Sequence, residues 1–117
     1  PEGPYTDFYP AHLPRTQARA AFGYGPGERV LLSFGNLRPY KGTDALIRAF
    51  SALPHPEARL LIAGPAHNRA FVADLEAAAA ADPRIRIEAG FVPDERVQAF
   101  FHAADAAVLP FRRIDNS

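Results

Sequence analysis

Residues 35 to 43 read GNLRPYKGT, and two of them, Arg38 and Lys41, are cations three positions apart just ahead of a Gly-Thr pair. Lys41 is the only lysine among 13 basic residues; the rest are arginines. The run before this stretch, RVLLSF, is strand-like, and the run after it, TDALIRAF, has helical spacing. Two cations and a helix N-terminus therefore converge on one point, which suits a phosphate or diphosphate. On spacing alone, a solvated loop carrying two surface charges fits equally well.

Two simpler phosphate motifs are excluded. A Walker A loop needs Gly-Lys-Thr in that order, and here the order is Lys41-Gly42-Thr43. A dinucleotide fingerprint needs three glycines after the first strand, and only Gly35 is in place.

Other reactive side chains are sparse. His12 lies in a proline-rich opening and His102 on a helix-like stretch with Phe100 and Phe101, where packing or solvent accounts for them. His67, alone in a loop, reads as a solvent-exposed bystander. Asp105 precedes an apolar run and reads as a residue bonding the turn into a strand. There is no Asp-x-Asp pair and no histidine cluster, so neither metal nor cofactor is expected.

Composition narrows the ligand class. The 117 residues make one domain at most, short for a two-lobed enzyme, so one lobe or a part of one is expected. The 13 basic and 13 acidic residues cancel, which disfavours nucleic acid and anionic lipid as partners. With no cysteine, disulfide frameworks and Cys-ligated zinc are excluded. No leader is visible and no apolar run approaches the roughly 20 residues of a spanning helix, so a cytoplasmic location is expected.

The elements that position the loops alternate. RVLLSFG, RLLIAG, IRIEAG and AAVLPF read as buried parallel strands ending in Gly or Pro. Between them lie three amphipathic helices. The first has Leu46, Ile47, Phe50 and Leu53 on its apolar face, with Thr43 or Asp44 as its cap. The second uses Phe71, Val72 and Leu75. The third uses Val97, Phe100 and Phe101, with Asp94 and Glu95 in its first turn. Residues 1–27, rich in proline and carrying Tyr5, Phe8 and Tyr9, read at their start as an extended lead-in. The expected fold is α/β: a Rossmann-like, doubly wound parallel sheet of about four strands over 28–117. Ligands of such sheets bind at the carboxyl ends of the strands, after Phe34, Ala63, Ala89 and Leu109.

Taken in series, FGNLRPYKGTDALIRAF, LLIAGPA and GFVPDERVQAFFHAADAAVLPF resemble successive motifs of the donor-binding, C-terminal domain of GT-B glycosyltransferases, specifically the family-four group of retaining enzymes. The opening EGPYTDFYP is similar to the segment that leads from the interdomain linker into that domain, with Glu2 where histidine is common.

The resemblance implies the following roles. Arg38 and Lys41 contact and stabilise the donor diphosphate, and Gly35 and Gly42 bracket that loop. Many members carry an arginine directly after the first glycine; here that position is Asn36, and Arg38 takes over its contact. Gly64 and Pro65 approach the nucleotide, and the backbone of Phe91 and Val92 meets its base. Asn116 and Ser117 stand at the edge of a loop facing the phosphates, and the acidic motif for the donor sugar lies beyond Ser117.

The implied parent is a bacterial transferase of glycan biosynthesis, cytoplasmic or peripheral at the inner membrane face. It moves a sugar from a nucleotide diphosphate-sugar to an acceptor hydroxyl with retention. The acceptor, a glycan or lipid-linked glycan, binds mainly on the partner lobe, and these residues alone are expected to be inactive. The competing reading is a noncatalytic nucleotide-binding or interaction domain on the same sheet. A receiver-like domain is disfavoured because these strands end in Gly or Pro rather than in acidic clusters. The fourth strand, lacking its outer neighbour, is expected to pair with another copy.

Overall fold

A computed structural model describes residues 15–39 and 42–108. Lys41, Asn116 and Ser117, the aromatics Tyr5, Phe8 and Tyr9, His12 and Leu109 lie outside the described residues. The elements are α1 (Arg15–Ala21), β1 (Arg29–Phe34), α2 (Thr43–Ser51), β2 (Ala58–Gly64), α3 (Arg69–Ala80), β3 (Ile85–Ala89), α4 (Asp94–Ala103) and β4 (Ala106–Val108).

The four strands form one parallel sheet in the order β3-β2-β1-β4. Strand β2 sits between β1 and β3, and both its faces are covered. Its residues Leu60 to Ala63 are accordingly all apolar and fully buried, as a continuous hydrophobic run in a parallel sheet requires.

Alternation along the strands divides the core. Val30, Leu32, Leu61 and Ala63 face α1 and α4, packing with Ala18, Phe22, Phe100 and Ala103. Leu60, Ile62 and Ile85 face α2 and α3, packing with Ile47, Phe50, Leu75 and Ala79. Burying each large side chain contributes about 1.5–3 kcal/mol. The chain thus steps outward from β1 to β3 with its helices on one face. It then crosses back beneath the other face to place β4 on the far side of β1. The expected doubly wound sheet is present.

Helix α1 was not anticipated. It ends in a Schellman motif, in which the Tyr24 N–H donates to the Arg19 carbonyl at 2.8 Å and the Gly23 N–H to Ala20 at 3.0 Å. Its Arg19, 4% exposed, is a buried hub. The guanidinium donates to the carbonyls of Ala103 (3.0 Å), Gly25 (2.9 Å) and Glu28, and to Asp105 Oδ2 (3.2 Å). Asp105 Oδ2 also accepts the Val30 N–H at 2.7 Å, and Oδ1 accepts from Arg15. Asp105 therefore has the expected structural role, tying the start of β1 to the end of α4.

The other helices depart from expectation at their ends. Helix α2 is capped by Gly42 in the left-handed region (φ 81°, ψ 8°), and neither Thr43 nor Asp44 supplies a side-chain cap. Thr43 is instead buried, and Asp44 pairs with Arg48 one turn on, at 3.6 Å. Leu53 falls beyond the end of α2 and is 43% exposed, and Phe101 is 37% exposed while Phe100 carries the α4 contact. Asn68 caps α3 by accepting the Phe71 N–H at 2.9 Å.

At the amino end of the sheet, Arg84 closes α2. It donates to the carbonyls of Phe50 (3.2 Å), Leu53 (3.0 Å) and His55 (2.8 Å), where a cation complements the negative end of the helix. Asp82 holds the guanidinium through both carboxylate oxygens, at 3.0 and 2.8 Å.

At the carboxyl end, the β1 and β2 backbones nearly touch. Gly64 has φ 148°, and a Cβ there would lie 1.8 Å from the Gly35 carbonyl oxygen. Only a hydrogen fits.

Two predictions follow from these ends of the sheet. Gly64→Ala should lose at least about 2 kcal/mol, because steric overlap and backbone strain add, whereas Gly27→Ala, with open space around it, should stay within about 0.5 kcal/mol of the parent. Urea melts of both variants measure this; equal midpoints would remove the close approach from the account. The Arg84 side-chain hydrogen bonds hold Asp82 well below the ordinary carboxylate range, at about 2. A lowered folded-state pKa gives stability that is complete above the unfolded value of about 3.9 and is lost as pH falls towards 2. Asp82→Asn should therefore flatten the stability curve between pH 4 and 2, and an unchanged slope in urea titrations would contradict the role given to this pair.

Candidate functional site

The sheet order fixes where a ligand can sit. Because β2 and β3 lie on one side of β1 and β4 on the other, the strand order reverses at β1, the topological switch point beside which ligands of such sheets bind. The loop after β1 contains Gly35, Arg38, Lys41 and Gly42.

Backbone hydrogen bonds hold that loop to its neighbours beyond the strand ends. The Gly35 N–H donates to the Ala63 carbonyl at 3.0 Å and the Leu37 N–H to the Pro65 carbonyl at 2.8 Å, with a bridge between Leu37 and Ala66. The Gly90 N–H donates to the Gly64 carbonyl at 2.9 Å. Three loops thus form one hydrogen-bonded rim. Gly35, Gly64, Pro65 and Gly90 are brought together in it.

Leu37 anchors the rim. It is fully buried beside Ile47 and Leu60, so the next residue, Arg38, is turned out to the surface of the strand ends. Arg38 makes no hydrogen bond or ion pair with another described residue, and it lines a recess with Leu37, Pro39, His67 and Asn68. His67, read from the sequence as a bystander, is exposed but shares this recess with Arg38.

Helix α2 begins at the far end of the same loop. Its first intrahelical bond is Leu46 N–H to Gly42 carbonyl at 2.9 Å, so the N–H groups of Thr43, Asp44 and Ala45 precede the helical ladder. No side chain caps them. They and the helix dipole leave positive potential at the position following Lys41. The Thr43 hydroxyl is buried without a hydrogen-bond partner.

After β3 the chain separates two adjacent side chains. Phe91 is 85% exposed, while Val92 packs against the core that contains Phe100. Both line a cleft with Gly90, Pro93, Arg96 and Glu88. Glu88 is held by Arg86 (2.9 Å) and Arg96 (3.0 Å), and Arg96 lies over the Phe100 ring at 5.1 Å. The cleft wall is therefore fixed, and the exposed member is Phe91.

Sequence reading missed the parts of the rim that act through position. Leu37 sits between two polar residues in a loop and gives no periodic signal. Asn68 ahead of a helical run was a readable cap.

Comparison with known proteins agrees with this geometry. The family described as glycosyl transferases group 1 matches residues 14–115. A D-inositol 3-phosphate glycosyltransferase of Mycobacterium sp. (strain KMS) is 34% identical over 100 residues, covering 82% of this chain and 22% of the relative. A GDP-mannose:glycolipid 4-beta-D-mannosyltransferase of Xanthomonas campestris pv. campestris is 31% identical over 87 residues, covering 74% of this chain and 25% of the relative. The chain thus spans about a quarter or less of the length of these two relatives.

Among solved structures, the C-terminal domain of a glycosyl transferase group 1 family protein from Francisella tularensis superimposes with a TM-score of 0.64 at 26% identity, covering 80% of this chain and 51% of that one. The N-terminal domain of a trehalose-6-phosphate phosphatase from Candida albicans shares the fold alone, with a TM-score of 0.63 at 14% identity over 91% of this chain and 27% of that one. With the family matched across all the described elements and the strand-end rim in place, the chain belongs to the group 1 glycosyl transferases and has the fold of their GT-B C-terminal domain.

Proposed function

We propose that these residues are the donor-binding part of an enzyme that moves a sugar from a nucleotide diphosphate-sugar to an acceptor hydroxyl with retention. The observation that supports this most is the loop after β1. There Arg38, without a partner among the described residues, and the uncapped start of α2 flank Lys41 in the sequence. Negative charge grows on the leaving diphosphate as the bond from the anomeric carbon to the phosphate oxygen breaks. Arg38, Lys41 and the first N–H groups of α2 stabilise that charge in place, and removing one such preorganised donor costs about 10²–10³ in kcat in well-characterised oxyanion sites. The compact ammonium of Lys41 suits a diphosphate as a point charge. In this reading the two cations take the part that a metal ion plays in other transferases.

The base lies against Phe91 and Val92, and Gly64 and Pro65 border the nucleotide. Asn116 and Ser117 belong to the phosphate side. The 117 residues alone bind donor weakly and do not turn it over. The acceptor, a glycan or lipid-linked glycan, binds chiefly to the partner lobe. The name of the Xanthomonas relative includes such a glycolipid acceptor. A bacterial, cytoplasmic parent, peripheral at the inner membrane face, fits such an acceptor, and among the described residues no helix is long and apolar enough to cross a membrane.

We also propose that β4 pairs with a second copy of this chain. Ala106, Ala107 and Val108 are exposed, and among the described residues only β1 pairs with β4.

Amide shift perturbation of the chain with a nucleoside diphosphate and with NAD tests the donor site. Shifts at Gly35 to Thr43 and Gly90 to Val92 with the diphosphate, lost in Lys41→Ala, are expected; stronger shifts with NAD, or shifts that survive the substitution, would overturn the reading. For the edge, light scattering should show mass rising with concentration, and a monodisperse monomer throughout would count against pairing.

A further inference from the structure

The ladder that runs on past β1 and β2 brings two side chains of different loops together. Its register pairs Phe34 with Ala63 and, beyond the strands, Leu37 with Ala66, so the next positions on the two loops are Arg38 and His67. Both are exposed and both line the recess that Leu37, Pro39 and Asn68 complete. Neighbouring strands lie about 4.8 Å apart, a separation that one oxyanion can bridge. The recess holds about 290 Å³, close to the roughly 300 Å³ at which small-molecule sites begin.

The free polar side-chain groups of this recess are donors. Asn68 accepts the Phe71 N–H through Oδ1 at 2.9 Å, which fixes the amide and leaves its Nδ2, with two N–H groups, uncommitted among the described residues. Arg38 and His67 make no hydrogen bond or ion pair with another described residue. A guanidinium only donates, and an imidazole donates a ring N–H in either protonation state. No carboxylate is among the described residues of the lining. The recess of Arg15, Arg19 and Arg29 at the amino end differs in this respect, because it contains Glu28 and Asp105, and Asp105 accepts from two of its arginines.

The walls are also held in place. Leu37 is fully buried and its N–H donates to the Pro65 carbonyl at 2.8 Å, while Asn68 is fixed as the cap of α3. Three donor side chains on anchored backbone, with no acceptor among them, suit a group that brings negative charge and several acceptor oxygens.

We propose that this recess is a phosphoryl-binding site in which His67 and Asn68, from the loop after β2, act with Arg38 from the loop after β1. The inference rests on the donor-site reading above, which supplies the phosphoryl group as the donor diphosphate. A phosphate ester carried by the acceptor has the same chemistry, and the test separates the two sources. His67 donates its ring N–H, and Asn68 its amide N–H groups, to oxygens that Arg38 leaves free.

The test is titration of the isotope-labelled chain with inorganic diphosphate, UDP, GDP and glucose 6-phosphate separately, repeated on the Asn68→Asp, His67→Ala and His67→Gln variants. Asp keeps an oxygen to cap α3 and replaces only the donor amide by a carboxylate, so the urea midpoint should stay unchanged. Expected are amide shifts at residues 37–38 and 66–69 with inorganic diphosphate and with at least one nucleotide. Asn68→Asp should raise the Kd for inorganic diphosphate at least tenfold and His67→Ala at least threefold, and His67→Gln, which retains an N–H donor, should recover most of that loss. An unchanged Kd in both Asn68→Asp and His67→Ala, or nucleotide shifts at 42–46 and 90–92 with none at 66–69, overturns the inference while the donor site stands. Shifts at 66–69 with glucose 6-phosphate alone support the phosphoryl site, assign it to a phosphorylated acceptor and remove Arg38 from the donor site. Shifts at 66–69 with inorganic diphosphate but none anywhere with either nucleotide keep the phosphoryl site and overturn the donor reading, and silence at 66–69 with all four overturns the inference.

Discussion

The carboxyl end of the sheet is governed by the approach of two backbones. At Gly64 there is room for a hydrogen and nothing larger before the Gly35 carbonyl. That contact lets the β1–β2 ladder run on past the strands, from Gly35–Ala63 to Leu37–Pro65, and so delivers Leu37 into the core between α2 and β2. Once Leu37 is buried, the exposure of Arg38 and the direction of the loop towards α2 are largely determined. In the donor-site reading proposed above, electrostatic stabilisation of a diphosphate depends on donors that are already in place. The close approach supplies that placement without using a charged side chain.

The amino end is closed by different means. There the chain uses two guanidinium clamps, Arg19 with Asp105 and Arg84 with Asp82, each donating to several carbonyls at element ends. For Asp105, burial alone would raise the carboxyl, but the Val30 N–H and the Arg19 and Arg15 guanidiniums outweigh it and leave its pKa lowered. Each guanidinium serves several carbonyls at element ends at once, which its five donors allow. Arg38, by contrast, makes no hydrogen bond or ion pair with another described residue at the strand ends.

Much of this could be read from the sequence because parallel strands buried on both faces are continuous apolar runs, and RVLLSF and ARLLIAG have no other plausible use. The crevice followed from the alternation of strands and helices together with the glycines that end three strands. What could not be read was tertiary. Helix α1 is short and surrounded by proline and glycine, and only its packing through Ala18, Phe22 and Arg19 makes it part of the core. Thr43 has the composition of a cap, but the left-handed Gly42 takes the position and turns Thr43 inward. Phe100 and Phe101 are equivalent in composition, and the crossing of α4 over β1 decides which is buried. Phe91 was read through its backbone, whereas the structure shows an exposed ring beside a fixed cleft.

The central claim is that the diphosphate sits at the switch point, against the loop after β1 and the start of α2. The most direct measurement is a crystal structure of the chain with a nucleoside diphosphate. The account predicts phosphate density within hydrogen-bonding distance of Arg38, Lys41 and the first N–H groups of α2. Density at the opposite end of the sheet, in the arginine-lined recess of Arg15, Arg19 and Arg29, would contradict it.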